Sequence, residues 1–441
     1  MQHHKIGLFI IISSVLVPIF PFIILAKAHP NIPILGQYFG VASLIVMSFG
    51  QLFATRARGL ESIFGPLDKN YILHKWLGIT AVVTMLIHNT VGAEIKALNS
   101  KSFWADFGES LGEIGMNGIL VLVGLSLALF IPYNWWRLSH KLIGAFFVMC
   151  ALHFMMIDKP FALTDPLGLY IFIICVIGIV SYVVSLLPSR FMRSFQYKVT
   201  HIEPTGDAVA ITMAPNDKAI RHRSGQFAFF SFAQKGLEER HPFTISSAPN
   251  PGGAIRITVK GLGRYTRNLG KSLEMGSEVS VQGPFGNFGG TQAKADQIWI
   301  AAGVGITPFI ALLDDWDEHK SKLNIFYAYR GAKTAIHLDE ITSLAQSKNI
   351  GLHLYDSSKG HKLSSQSIVD VVGTKMVKSK ALYCGPKTLR ADLQSALKEL
   401  GLKTRNFHFE EFEIRSDFWP LTYINQFAYK WLSRTEWSRF F

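Results

Sequence analysis

Apolar residues follow two different rhythms along this chain. Over the first 190 positions they form six long, nearly unbroken stretches, roughly Ile6–Ala26, Ile34–Phe53, Leu73–Val91, Gly115–Ile131, Leu142–Ile157 and Leu167–Leu187. A bilayer's hydrocarbon core is spanned by ~20 apolar residues of helix, so these stretches predict six transmembrane helices. The shorter ones borrow turns from their flanks. The first lacks a small-residue cleavage site and holds Pro18 and Pro21, which predicts a retained span rather than a leader.

From about Phe195 the rhythm shortens to alternating runs such as Gln226–Phe232, Phe243–Ser247 and Ile255–Lys260. Turn residues separate them, as in Pro249-Asn250-Pro251-Gly252-Gly253. This predicts a small antiparallel β-barrel. After Gly290 strands alternate with helices. Gln297–Ala302, Leu323–Tyr329, Gly351–Tyr355 and Ala381–Cys384 read as the strands of a doubly wound α/β domain. The expected organisation is multidomain: an all-α membrane bundle at 1–190, the barrel at 191–290, the α/β domain at 291–415 and an aromatic, basic extension at 416–441.

Charge sharpens the division. Of 44 Lys+Arg and 31 Asp+Glu, residues 1–190 hold only 12 and 8. That excludes one uniform soluble globule, and disorder as well. The net charge of +13 divides as +4 and +9, so the second half suits anionic ligands. No dense Lys/Arg run stands out, which argues against nucleic acid. The three cysteines, Cys150, Cys175 and Cys384, lack the spacing of a zinc site, an iron–sulfur cluster or a disulfide framework. No calcium-loop motif is present.

Orientation follows from basic residues in the short connections. One side carries Lys5, Arg56, Arg58, Lys69, Arg137, Lys141, Arg190 and Arg193; the other carries Lys27, Lys96, Lys101 and Lys159. This predicts that the N-terminus and the second half both lie in the cytoplasm.

Ionisable residues inside spans are rare and usually functional. His74 and His88 lie near the two ends of the third span, and His140 and His153 near those of the fifth, at spacings of 14 and 13 residues. A lone membrane histidine is as readily a packing group. Two pairs of near-equal spacing on two spans of the same direction point elsewhere. At ~1.5 Å per residue each pair spans ~20 Å. His74 then lies level with His140, and His88 with His153. Two stacked bis-imidazole sites follow, as a haem iron's axial positions require. A proton relay is the alternative. Thirteen residues miss the same helix face by ~140°, so a bend or π-bulge is expected in the fifth span near Gly144.

The loop after Gln297–Ala302 reads Gly303-Val304-Gly305-Ile306-Thr307-Pro308. Its glycines admit a pyrophosphate to the backbone, and the helix N-terminus behind them offers free N–H groups. No Gly-Lys-Ser/Thr follows, so it is not a P-loop.

The segment His241-Pro242-Phe243-Thr244-Ile245-Ser246-Ser247-Ala248-Pro249 resembles the flavin-binding strand of NADPH oxidases and ferric-chelate reductases. Gly283-Pro284-Phe285-Gly286, Ala302–Phe309 and Tyr383-Cys384-Gly385-Pro386 resemble that family's nucleotide motifs, and the histidine pairs resemble its six-span haem domain. The resemblance covers residues 1–415. It implies FAD, two b-type haems held by His74, His88, His140 and His153, and NADPH, with NADH possible.

Residue by residue, it implies that Phe243 packs on the isoalloxazine and Thr244 bonds near its reactive edge. His241, where many relatives have Arg, would face the flavin phosphates beside Pro242. Gly263, Arg264, Tyr265 and Thr266 match a second flavin segment. Gly303, Gly305, Thr307 and Pro308 would cradle the nicotinamide nucleotide. Cys384, with Gly385 and Pro386, would sit against the nicotinamide. Arg330 would meet the 2′-phosphate of NADPH. Phe412 would shield the flavin, with Phe409 as alternate. The extension from Arg415 onward departs from many relatives; an interfacial helix on the anionic leaflet or a cap on the soluble domains are the two readings.

The implied activity is transmembrane electron transfer from cytoplasmic NADPH to an outer acceptor, dioxygen giving superoxide or a chelated Fe(III). The outer connection, about Gly92–Ile114 with Glu94, Lys96, Lys101, Asp106, Glu109 and Glu113, would border the acceptor. An electron donor to an external partner protein, and a haem sensor or proton conduit, are the other readings. A bacterial inner membrane is the expected location.

Overall fold

The computed structural model describes residues 2–57, 59–98, 100, 102–127, 133–187, 194–289, 295–317 and 321–410. They form two compact units, whose described residues run over 2–187 and 194–410.

The first unit is helical: α1 (Gln2–Leu16), α2 (Ile19–Leu25), α3 (Asn31–Ala54), α4 (Leu60–Phe64), α5 (Leu67–Val91), α6 (Phe103–Leu127), α7 (Tyr133–Met156) and α8 (Pro166–Leu186). Among the described residues six spans are long and apolar enough to cross a membrane, α1 and α2 together making the first. Their break falls at Pro18, which lacks the N–H that would continue the ladder. α3 is the central helix: 56% of its apolar window is buried, against 33% or less in every other span.

Two helices start earlier than expected. α6 begins at Phe103 instead of Gly115, and α7 at Tyr133 instead of Leu142. Most of the expected outer connection is therefore helix. Asp106, Glu109 and Glu113 lower the local hydropathy, but at spacings of three and four they share one stripe and leave the other faces apolar. α6 meets α7 along small residues: Cβ atoms at Gly108, Gly115 and Gly118 would overlap Met156, Cys150 and Phe146. Of the bend or π-bulge expected near Gly144, the π-bulge is absent: α7 is α-helical throughout.

The second unit holds two sheets. The antiparallel sheet comprises β1 (Phe195–Thr205), β2 (Ala208–Pro215), β3 (Phe227–Phe232), β4 (His241–Thr244), β5 (Ile255–Lys260) and β6 (Glu278–Phe285), in the order β4-β3-β6-β1-β2-β5. Helix α9 (Arg264–Ser272) buries Leu269 against its core. The sheet curls until its edges meet at one bridge, Ile245 to Ile257. It is thus an incompletely closed barrel, not the full barrel expected. β4 is four residues long and contains Pro242, which cannot donate to a second ladder.

The parallel sheet comprises β7 (Gln297–Ala302), β8 (Leu323–Tyr329), β9 (Gly351–Asp356), β10 (Lys380–Cys384) and β11 (Phe407–Phe409), in the order β11-β10-β7-β8-β9. β7 is buried on both faces. Trp299 and Ala301 pack under α10 (Thr307–Asp314) and α11 (Leu338–Ser347). Ile298 and Ile300 pack under α12 (Ser365–Val372) and α13 (Lys387–Glu399). Strand order reverses between β7 and β10, which places a ligand crevice at their carboxyl ends.

Candidate functional site

The four membrane histidines meet in two pairs. His74 and His140 have ring centroids 6.0 Å apart, and His88 and His153 have them 6.4 Å apart. Each ring is held from behind by a third helix. His74 Nδ1 lies 3.1 Å from the Gly50 carbonyl and His88 Nδ1 lies 2.8 Å from that of Gly36, both on α3. On α6, His153 Nδ1 lies 2.9 Å from the Gly108 carbonyl, and His140 Nδ1 lies 3.1 Å from Ser126 Oγ. A carbonyl oxygen can only accept, so Nδ1–H of His74, His88 and His153 donates, which leaves Nε2 of those rings outside these bonds. Both α7 imidazoles are thus held from α6, and each lies beside a histidine of α5.

Small residues make room for the rings. A Cβ on Gly40 would lie 2.8 Å from His88 Nδ1, and one on Gly112 would lie 2.5 Å from His153 Nδ1. A cavity of about 580 Å³ opens beside the His88–His153 pair, lined also by Gln37, Glu109, Glu113 and Lys159 among others. Among the described residues no group of three or more His, Cys, Asp or Glu side chains is arranged to hold a metal ion by itself. The histidines come together in twos.

In the second unit, β4 lies on the sheet edge with Thr244 buried and His241, Pro242 and Phe243 half-buried. His241 stacks on Tyr265, ring centroids 3.7 Å apart, and its Nε2 lies 3.3 Å from Glu239. Tyr265 Oη donates to the Leu237 carbonyl. Gly263 precedes α9, and its N–H donates to Thr266 Oγ1 at 2.9 Å. The Thr266 hydroxyl thus organises the helix start.

At the switch point, Gly303 adopts φ +55° and opens the loop into α10. Thr307 and Pro308 begin that helix and are buried. Gly305 packs against the end of β10; a Cβ there would lie 2.2 Å from the Cys384 carbonyl oxygen. Cys384 is fully buried in the core with Trp299 and Phe309, and burial pushes its thiol well up. Its backbone therefore meets the glycine loop while its sulfur packs inward. Tyr383 Oη donates to the Pro386 carbonyl, arching the chain over Gly385. Arg330 follows β8 and is exposed; its N–H donates to Thr334 Oγ1, and Asp356 Oδ1 accepts from Gly331 N–H. Phe412 and residues 416–441 lie outside the described residues.

Sequence reasoning missed the carbonyl anchors at Gly36, Gly50 and Gly108, because a backbone acceptor leaves no residue signature. It also missed Ser126 and Trp136. Trp136 at four residues before His140 was the available signal.

Fold and site together define a multi-pass membrane protein joined to a reductase-type module of two sheets. Residues 39–151 match the family described as ferric reductase like transmembrane component, and residues 191–329 match an FAD-binding domain. This chain therefore carries a ferric reductase like transmembrane component followed by an FAD-binding domain. Among curated relatives, Dual oxidase 2 of Rattus norvegicus is 22% identical over 63% of this chain and 21% of its own length. Ferric reduction oxidase 7, chloroplastic, of Arabidopsis thaliana is 25% identical over 78% of this chain and 50% of its own. The reductase component of the glycine betaine monooxygenase of Pseudomonas aeruginosa is 24% identical over 44% and 58%. The chain spans less than two thirds of the length of each of these relatives.

Proposed function

We propose that this protein moves electrons from cytoplasmic NADPH, through FAD and two b-type haems, to dioxygen on the outer side of the membrane, giving superoxide. The observation that carries the reading is the pairing of the four histidines. His74 with His140, and His88 with His153, would each offer a haem one imidazole from α5 and one from α7. The pairs here stand at 6.0 and 6.4 Å. Two protein ligands per site suit a macrocycle that supplies the other four itself.

When bound, flavin and haem supply the conversion of a two-electron hydride into single-electron relay. The chain's own part is placement. Phe243 and Thr244 would seat the flavin ring on β4, with His241 and Pro242 beside it. Gly263, Tyr265 and Thr266 would shape the second flavin contact. The Gly303–Gly305 loop, with Thr307 and Pro308 opening α10, would receive the nucleotide pyrophosphate. Gly385 and Pro386 would border the nicotinamide, and Arg330 would favour NADPH through its 2′-phosphate. Glu109 and Glu113 at the outer cavity favour a neutral or cationic acceptor over an anionic one.

Anaerobic spectroscopy of detergent-purified protein with FAD and NADPH tests this, followed by air with superoxide detection. Low-spin haem bands should reduce and then reoxidise with stoichiometric superoxide. Slow reoxidation by oxygen but fast reoxidation by an Fe(III) chelate would transfer the protein to ferric reduction, the second activity the family resemblance offers. Absence of any haem band would overturn the reading of the membrane unit.

A further inference from the structure

The two sheets of the second unit are joined by a closed ring of five polar side chains. Arg256 on β5 donates from Nη2 to Glu340 Oε1 on α11 at 2.6 Å. Glu340 Oε2 lies 2.7 Å from His337 Nδ1. His337 Nε2 lies 2.8 Å from Thr258 Oγ1, back on β5. Thr258 Oγ1 lies 3.2 Å from Ser246 Oγ, and Arg256 Nε closes the ring on that same oxygen at 3.4 Å. Ser246, Thr258 and His337 are buried.

Two further features show that the backbone is committed to this junction. His337 sits at φ +54°, ψ 31°, a left-handed conformation that glycine adopts freely and a histidine does not. Its N–H donates to Thr205 Oγ1 at the end of β1. Beside it, Gly206 approaches so closely that a Cβ would lie 3.1 Å from the Ala335 carbonyl.

The ring also connects the two ends of the proposed reaction. Ser246 stands two residues past Thr244, and both its N–H and its carbonyl are tied to Arg256. Glu340 lies in the first turn of α11, which shares one core with α10, the helix that the glycine loop opens. A shift of α11 against β5 therefore changes the separation between the flavin strand and the nucleotide loop.

We infer that the Arg256–Glu340–His337–Thr258–Ser246 ring is a positioning device for hydride transfer, setting the distance from nicotinamide to flavin across the junction of the two sheets. This rests on the NADPH-to-flavin reading above. Thr258 Oγ1 lies within hydrogen-bond distance of both His337 Nε2 and Ser246 Oγ, so one hydroxyl ties the α11 side of the junction to the flavin strand.

The test is anaerobic stopped-flow reduction of flavin in the full-length holoprotein, with His337→Gln, Thr258→Val, their double variant and Thr258→Ser. At saturating NADPH the two single variants should reduce flavin about tenfold more slowly, the scale expected of a small misplacement. FAD content and the half-saturating NADPH concentration should stay within about twofold, and the double variant should be no slower than the slower single. Thr258→Ser keeps the hydroxyl and should keep the rate. Unchanged reduction rates with a lowered Tm would overturn the inference, leaving the ring a structural tie. Loss of FAD in both single variants would overturn it too, by placing the ring in flavin binding. If the wild-type flavin is not reduced by NADPH at all, the functional reading itself falls and takes this inference with it.

Discussion

Trp136 lies flat against His140, with ring centroids 5.1 Å apart and planes 14° from parallel. The indole Nε1 donates to the Ser126 carbonyl, whose hydroxyl donates to the Leu122 carbonyl and accepts from His140 Nδ1. His140 is the one of the four held by a hydroxyl and stacked on an aromatic ring. The other three use backbone carbonyls, which no substitution removes. Ser126→Ala should therefore weaken one site selectively. Loss of such a partner typically costs 10–100-fold in metal-site affinity. Haem content should fall toward one per chain, with a single low-spin signal remaining. Unaltered stoichiometry and spectrum would show that Ser126 does not orient the ligand.

Glycines facing the imidazoles give a graded test of the same geometry. Alanine at Gly112 would bring its Cβ to 2.5 Å from His153, and at Gly40 to 2.8 Å from His88. At Gly50 the nearest atom of His74 is 3.8 Å away, an ordinary contact. Gly112→Ala and Gly40→Ala should displace the His153 and His88 rings at an overpacking cost of about 1–3 kcal/mol. Both should lose low-spin character at one haem, while Gly50→Ala retains both. Equal behaviour of the three variants, read by optical and EPR spectra, would contradict this placement of the rings.

The contrast between those helices shows what the sequence made legible. Apolar length disclosed six spans, and the near-equal spacings of four histidines, 14 and 13 residues, disclosed their pairing, because both are properties of one helix at a time. The anchors from α3 and α6 were hidden, since they depend on which helix packs behind which. The starts of α6 and α7 were misplaced because hydropathy averages over faces: the stripe of Asp106, Glu109 and Glu113 lowers the mean although it occupies one side. In the second unit, strands and the glycine loop were readable from local pattern. The ring through His337 was not, because its members lie up to 94 positions apart, from Ser246 to Glu340, and only Ser246 belongs to a recognisable motif.

The glycine loop separates two demands that sequence alone merges. Gly303 needs its left-handed backbone but has open space for a side chain. Gly305 needs the space, since a Cβ would collide with the Cys384 carbonyl at 2.2 Å. Gly303→Ala should cost about 1–2 kcal/mol, the penalty of left-handed backbone for an L-residue. Gly305→Ala must push β10 away from the loop, so it should lower Tm further and weaken NADPH binding at least about tenfold. Calorimetry and equilibrium titration of NADPH check both, and a larger loss of affinity in Gly303→Ala would reverse the assignment.

Glu340 predicts how the second unit responds to acid. Burial alone would raise its carboxyl, but hydrogen bonds from His337 and Arg256, with their charges, hold it below the usual value of 4.5. A carboxyl depressed on folding binds its proton more readily in the unfolded chain. Its contribution to stability is thus fully present above about pH 4.5, the unfolded value, and is lost as pH falls through the lower folded value. Glu340→Gln should remove that dependence while nearly preserving shape. Its stability should lie below wild type at neutral pH, and the two should converge in acid. Chemical denaturation of the full-length holoprotein from pH 7 downward, followed by flavin fluorescence, measures this. A constant gap between the two proteins across that range would show that the carboxylate charge contributes nothing to the junction.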